Sequence, residues 1–398
     1  MPNEDPATTG QRIARARKLR GVTQLGLAAR CRYSRSQIAK VESGARIATP
    51  GFVAQVAAAL GVTTAELYGQ PYAGQEAVHA HVTAIREVLA YVDVPPELDA
   101  APRPLEELAR ESAVVARHLQ QAQHTKAGAL LPALLEELAV HVAEAGEPRA
   151  WQVLHRAQVL TLRLTRKLGH ADLADYIAER ARVSAAAAAD PHLEAMLTQR
   201  RTLMMMDRAQ WRPALASLEH ALRRVDEHRP DAAEVLGAIR LRQAVIAARA
   251  GRATDAWDHF AQAQEIDVRA GERAAAGQRV LRDAHGTTFT SGNIGVHGAA
   301  VAVELRDYDE VVKREPAPQL LADLIPERRA HHSIDMARAL VEARLPADAL
   351  RHITTAESLA PEMVRYHPTA RTVVEHLVDM HNALPAPLRR LQRRMRVI

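Results

Sequence analysis

One spacing constrains this chain more than any other feature: alanine, six residues, alanine, at Ala174/Ala181, Ala214/Ala221, Ala256/Ala263 and Ala349/Ala356. Residues seven apart fall on one face of an α-helix, and small side chains there let a second helix approach closely. The first three pairs start 40 and 42 residues apart, which marks an internal period. A turn signal precedes each pair, at Gly169, Gln210, Gly251 and Leu345-Pro346. After Tyr72, strand-like alternation is almost absent, Ala, Leu and Arg recur at helical spacing, and Pro or Gly breaks fall at Pro95-Pro96, Pro102, Gly146, Pro148, Pro230, Gly271, Pro316 and Pro361. This pattern predicts a stack of antiparallel helices, and an all-α chain.

With 398 residues, 47% hydrophobic and 25% charged, the chain has material for two or more folding units. No run approaches the ~18 consecutive apolar residues of a membrane helix, and Met1 to Thr9 lacks the charged and apolar regions of a signal peptide. A cytoplasmic protein without a membrane partner is expected. Cys31 is the single cysteine, so an intramolecular disulfide and a cysteine metal cluster are both excluded.

Charge is informative once it is divided along the chain. From Met1 to Gln70 there are ten Arg or Lys against Glu4, Asp5, Glu42 and Glu66, a balance of +6 in a chain of net +5, leaving −1 for all the rest. A positive field confined to one small segment suits a module that faces phosphates. Between Gly10 and Tyr68 that segment reads as five short helices. Thr23 and Ser34 are good N-caps, Thr49-Pro50 is a cap followed by a first-turn proline, and Gly21, Gly44 and Gly61 stop helices. Apolar residues at helical spacing (Ile13, Leu27, Ile38, Val41, Val53, Val56, Leu60) supply one small core. A short link joins the second helix to a polar and basic third helix, as a helix-turn-helix requires.

The order Ile13, Arg17, Gly21-Val22-Thr23-Gln24, Leu27-Ala28, Ser34-Arg35-Ser36-Gln37-Ile38, Val41-Glu42-Ser43-Gly44 and Leu60-Gly61-Val62 resembles the lambda-repressor-like (XRE) family over roughly the first 68 residues. Carried over by position, the resemblance implies base contacts from Arg35, Ser36, Gln37 and Lys40. It implies phosphate contacts from Thr23, Gln24, Ser43 and Arg46. Arg17 is expected to pair with Glu42 inside the domain. Two positions depart from the pattern. Gly26 sits where a better helix former is usual, and Arg32 replaces a glycine in the turn, where a left-handed backbone would strain it.

The alanine spacing resembles tetratricopeptide (TPR) repeats with elongated helices, and Asp307-Tyr308-Asp309-Glu310-Val311 looks like a further, degenerate copy. The whole chain is similar to actinobacterial regulators that join an XRE domain to a TPR-like domain. The expected fold is an N-terminal five-helix lambda-repressor-like DNA-binding domain over residues 1–72, a helical linker or early repeat region over 73–148, and a TPR-like α-solenoid over 149–398 for ligand sensing and dimerisation. A curved stack leaves a concave face for a peptide or small-molecule effector. Phe289-Thr290-Ser291-Gly292-Asn293 with His297 looks like a motif of such regulators, so Asn293 and His297 are candidate ligand contacts, with Arg200, Arg201, Arg240 and Met204 beside them. Trp151, Trp211 and Trp257 read as packing between repeats.

No Walker-type loop, H-E-x-x-H or G-x-S-x-G is present. Gly292, Gly295 and Gly298 form a glycine series with no strand before it, and His79/His81 and His331/His332 lack a companion acid set. No enzyme activity, cofactor or metal is expected. The expected function is that of a sequence-specific regulator of transcription, a homodimer on a palindromic double-stranded operator. The alternative is a TPR-type scaffold or antitoxin-like partner in which DNA contact is secondary.

Overall fold

The structure is a computed structural model that describes residues 7–70, 76–91, 94–144 and 146–397, and among these every regular element is a helix. The first five are α1 (Thr9–Leu19), α2 (Gln24–Arg30), α3 (Arg35–Glu42), α4 (Pro50–Leu60) and α5 (Thr64–Tyr68). Each begins where a hydroxyl can accept an orphan backbone N–H: Thr8, Thr23, Ser34, Thr49 and Thr63 accept from Gln11, Gly26, Gln37, Phe52 and Glu66. Caps of this kind contribute about 1 kcal/mol each. In α1 and α3 the cap is reciprocal, because Gln11 and Gln37 return their side-chain oxygens to the cap backbone. Ile13, Leu27, Ile38, Val41, Phe52, Val53 and Val56 close a single core under them. Arg32 does not take the left-handed backbone that would strain it; among the described residues of this domain only glycines have positive φ. That turn is therefore relaxed, and the Arg32 guanidinium donates instead to the carbonyl of Ala250.

Next come α6 (Glu76–Leu89) and α7 (Leu105–Gln120), which both pack on α8 (His124–Glu144), while α7 and α8 pack on α9 (Pro148–Lys167). One apolar cluster runs from Val82 on α6 to Ala178 and Met204. The chain continues as α10 (Ala171–Ala187), α11 (Pro191–Asp207), α12 (Trp211–Leu222), α13 (Ala232–Arg249), α14 (Ala253–Ala275), α15 (Ser291–Leu305) and α16 (Tyr308–Lys313). After these come α17 (Pro318–Ala322), α18 (Pro326–Glu342), α19 (Pro346–Leu359), α20 (Pro361–Tyr366), α21 (Pro368–Asp379) and α22 (Ala386–Met395).

Five of the links repeat one backbone shape. Gly169, Ala209, Gly251, Arg306 and Arg344 each take a left-handed φ, between 55° and 88°. The residue after each (His170, Gln210, Arg252, Asp307, Leu345) has φ near −100° and ψ of 60° to 85° and starts the next helix. The pairs α9/α10, α11/α12, α13/α14, α15/α16 and α18/α19 are thus joined by the same turn, and each pair packs together. All eight alanines of the seven-residue spacing are buried on the second helix of a pair.

The Phe289 to Asn293 segment is explained by packing. The Phe289 ring lies against Gly237 on α13, where a methyl group would collide with it. Thr290 caps α15, and the Asn293 amide donates to the carbonyls of Thr287 (2.8 Å) and Thr288 (3.0 Å). The glycine series has the same cause: a Cβ would meet Leu320 O at 2.6 Å from Gly292, Pro316 at 3.0 Å from Gly295 and the Phe260 ring at 2.8 Å from Gly298.

Candidate nucleic-acid interface

The first domain is docked on the helix array through α1, the α3–α4 link, α4 and α5. α4 is buried nearly all round and packs on α11. Ile47 joins the apolar cluster of α18 to α22, and Arg46 Nη2 lies 3.9 Å from Glu342 on α18. The hydroxyls of Thr9 and Thr372 meet at 3.4 Å. A cavity of about 490 Å³ remains at this junction, lined among others by Tyr33, Gln37, Arg249, Trp257 and Glu304.

What docking leaves exposed is the polar face of α3. Arg35, Ser36 and Lys40 are exposed, while Ile38 and Val41 on the opposite side of the helix are fully buried. Because Ser36 and Lys40 are four residues apart, they stand one above the other. Exposed Arg30 on α2 adds to the positive field. The nearby carboxylate is already occupied. Glu42 accepts from Nε and Nη2 of Arg17, at 2.6 and 2.8 Å, and from the Gln24 amide at 2.9 Å. Burial pushes the Glu42 carboxyl up, but these bonds outweigh it and hold it below its ordinary value. The face that remains carries Arg35 and Lys40, and the acid of its own helix is turned to Arg17 and Gln24.

The residues expected at the interface differ in their degrees of freedom, and two of them, Gln37 and Arg46, lie at the junction with the array. Gln37 is half-buried, gives its side-chain oxygen to the Ser34 N–H at 2.9 Å, and borders the junction cavity. Thr23 is exposed but serves as the α2 cap, Ser43 donates to the Lys40 carbonyl at 3.2 Å, and Arg46 is half-buried beside Glu342. Gln24 is committed to Glu42.

The ligand candidates separate. Arg201 pairs with Glu179 on α10, and Arg240 with Glu219 on α12 at 3.2 Å, both between neighbouring helices. Met204 is buried in the first apolar cluster, and Asn293 gives its amide N–H groups to its loop while its Oδ1 is buried without a partner among the described residues. Arg200 and His297 point to an interior that also holds Arg242 and Arg328, which sequence reasoning missed because each comes from a different helix with no fixed spacing. Another set the sequence did not suggest is His192, Asp231 and His285, whose ligand-type atoms lie within 4.8 Å of one another. His192 Nε2 accepts the Asp226 N–H at 3.1 Å, so its proton sits on Nδ1, 3.0 Å from Asp231 Oδ2. His285 and Arg229 reach the same oxygen at 2.9 and 3.1 Å. Asp231 is the centre of a hub in which Arg229 and His285 bond its two oxygens.

No helix among the described residues is long and apolar enough to cross a membrane. No curated protein matches the chain, and no solved structure matches it. A family model described as helix-turn-helix matches residues 13–67, which contain all of α2 to α4 and the exposed face of α3. Residues 13–67 are an XRE-type helix-turn-helix, and this part of the chain has the character of a DNA-binding regulator.

Proposed function

We propose that the protein is a sequence-specific regulator of transcription. It binds a palindromic double-stranded operator as a homodimer, and its TPR-like array senses a peptide or small molecule. The observation that carries this reading is the division of labour on the first domain: the α3 face with Arg35, Ser36 and Lys40 is exposed, while the opposite side is committed to the array. One domain of this size spans too few base pairs for high selectivity, and two copies on half-sites about one helical turn apart supply it. No reaction is assigned to the chain; it acts by binding.

Duplex affinity at increasing salt is the test. Counterion release makes affinity fall steeply with salt, and at fixed salt the protein should still prefer one sequence. Arg35→Ala should cost ~1–3 kcal/mol at the preferred site and relax selectivity at one base position. Lys40→Ala should weaken binding as well. Unchanged DNA affinity in both variants would return the chain to the alternative reading, an interaction protein whose DNA contact is secondary.

A further inference from the structure

Most charges inside the helix array come in compensated sets. Arg163 and Lys167 on α9 share Glu327 on α18, and Arg249 on α13 and Arg338 on α18 share Glu304 on α15. Among the described residues, Arg200, Arg242 and Arg328 stand outside such sets. Arg200 on α11 donates to the carbonyl of His285 at 2.5 Å and has no carboxylate partner among the described residues. Arg242 on α13 has a single hydrogen bond among the described residues, a weak one to the Met206 sulfur at 3.9 Å, and its Nε is buried and unpartnered. Arg328 on α18 makes no hydrogen bond or ion pair among the described residues and is half-buried. α11 packs on α13, α13 on α15, and α15 on α18, so the three arginines come from successive neighbours in the array, and Arg200 and Arg328 are both close enough to act on Arg242.

The charges around Arg242 are themselves cations: Arg166, Arg328, Arg249 and Arg200. Burial first, and then this repulsion, pulls its guanidinium from 12.5 down to about 9, still charged at neutral pH. His297 on α15, beside Arg328 and Arg242, is driven down to about 3, mainly by burial. The carboxylates that face the group are Glu234, Glu327 and Asp335; the first two are engaged, and Asp335, largely ionised at neutral pH, acts on Arg328 without an ion pair among the described residues. Glu234 accepts from His285 and Thr287, Glu327 serves Arg163 and Lys167, and burial raises Asp335 to about 6. Unpaired guanidiniums in a partly dry interior are costly, and removing the counter-charge from such a group is strongly destabilising. A counter-ion supplied from solution removes that cost, and Arg242 and Arg328 keep enough exposure to meet one.

Guanidinium forks match oxyanions in plane and spacing. A carboxylate offers two oxygens and one charge, whereas a phosphate monoester offers three terminal oxygens and close to two charges. Three guanidiniums carry more charge and more donors than one carboxylate can use, which favours the second. We propose that Arg200, Arg242 and Arg328 form the binding site of a phosphorylated small molecule inside the helix array. As the site of an effector this rests on the sensing role proposed above; as a phosphate site it does not.

The experiment uses the full chain without DNA, so a failure of operator recognition cannot imitate a failure here. Pyrophosphate is titrated calorimetrically, with ionic strength held constant by chloride, into the wild type, Arg242→Met/Arg328→Met and Arg35→Ala/Lys40→Ala. A parallel titration uses succinate. One pyrophosphate per chain is expected for the wild type and for the α3 variant. At least a tenfold loss of affinity is expected for the double methionine variant, whose ligand-free Tm should equal or exceed the wild type because an unpaired charge has gone. The wild type alone already decides part of the question: no binding above chloride, or succinate binding as tightly as pyrophosphate, overturns the proposal. So does full affinity in the methionine variant, or loss of binding in the α3 variant. If the methionine pair does not fold, Arg328→Met alone takes its place with the same expectation.

Discussion

Arg17 and Arg35 are both arginines of the basic segment, yet one holds the domain together and the other faces outward. Arg17 is buried, forks onto Glu42 and also donates to the Val22 carbonyl at 2.8 Å, so it ties α1 to α3 and to the turn before α2. Removing one member of a buried pair leaves the other charge uncompensated, typically at ~3–5 kcal/mol. Arg17→Ala should therefore unfold the first domain at lower denaturant while leaving the array folded, which limited proteolysis combined with urea melting would detect. A single cooperative transition at the wild-type midpoint would refute that role. The pair was legible in the sequence because both residues occupy positions of a known pattern. The engagement of Gln24 with the same carboxylate was not, since nothing in its position distinguishes an amide that meets phosphate from one that meets Glu42.

At the scale of elements, the recurring turn between paired helices is the clearest regularity. Two of its five left-handed positions carry glycine, Gly169 and Gly251, and those were visible as turn signals. The others carry Ala209, Arg306 and Arg344, which no turn rule selects. Side chains at left-handed φ cost roughly 1–2 kcal/mol, part of which glycine returns as extra freedom in the unfolded chain. Ala209→Gly should accordingly raise the Tm by roughly 1–2 °C, whereas the same change at Ala214, buried mid-helix with ordinary dihedrals, should lower it. Scanning calorimetry on the two variants separates these outcomes; a lower Tm for Ala209→Gly would mean that the turn is not strained. The caps at Thr23, Ser34 and Thr49 were legible in the sequence because a cap is a contact between residues two or three apart. The role of Phe289 was not, because its partner Gly237 is remote in the chain.

For the whole molecule the decisive feature is how the first domain sits on the rest. Glu375 on α21 lies in that junction, accepting the Thr9 N–H of α1, with Arg371 and Asp379 from its own helix and Arg12 from α1 acting on it. Burial outweighs the two arginines and pushes its carboxyl from 4.5 up to about 7. A folded-state value above the unfolded one means that the protonated form stabilises the fold: the contribution is complete below about 4.5 and is lost as pH rises through about 7. Glu375→Gln, which cannot ionise, should match the wild-type Tm near pH 5 and exceed it at pH 8, and a Tm difference that does not change with pH would show that the group is not buried in solution. The sequence by itself determined the helices, their caps, the small core of the first domain and the cationic third helix, since all of these depend on neighbours within a few residues or on a shared periodicity. Only the tertiary structure decided which charges end up paired, where the first domain docks, and that Arg200, Arg242 and Arg328 share an interior. Those outcomes depend on side chains from separate helices, and the one-dimensional order of residues carries no record of the distance between them.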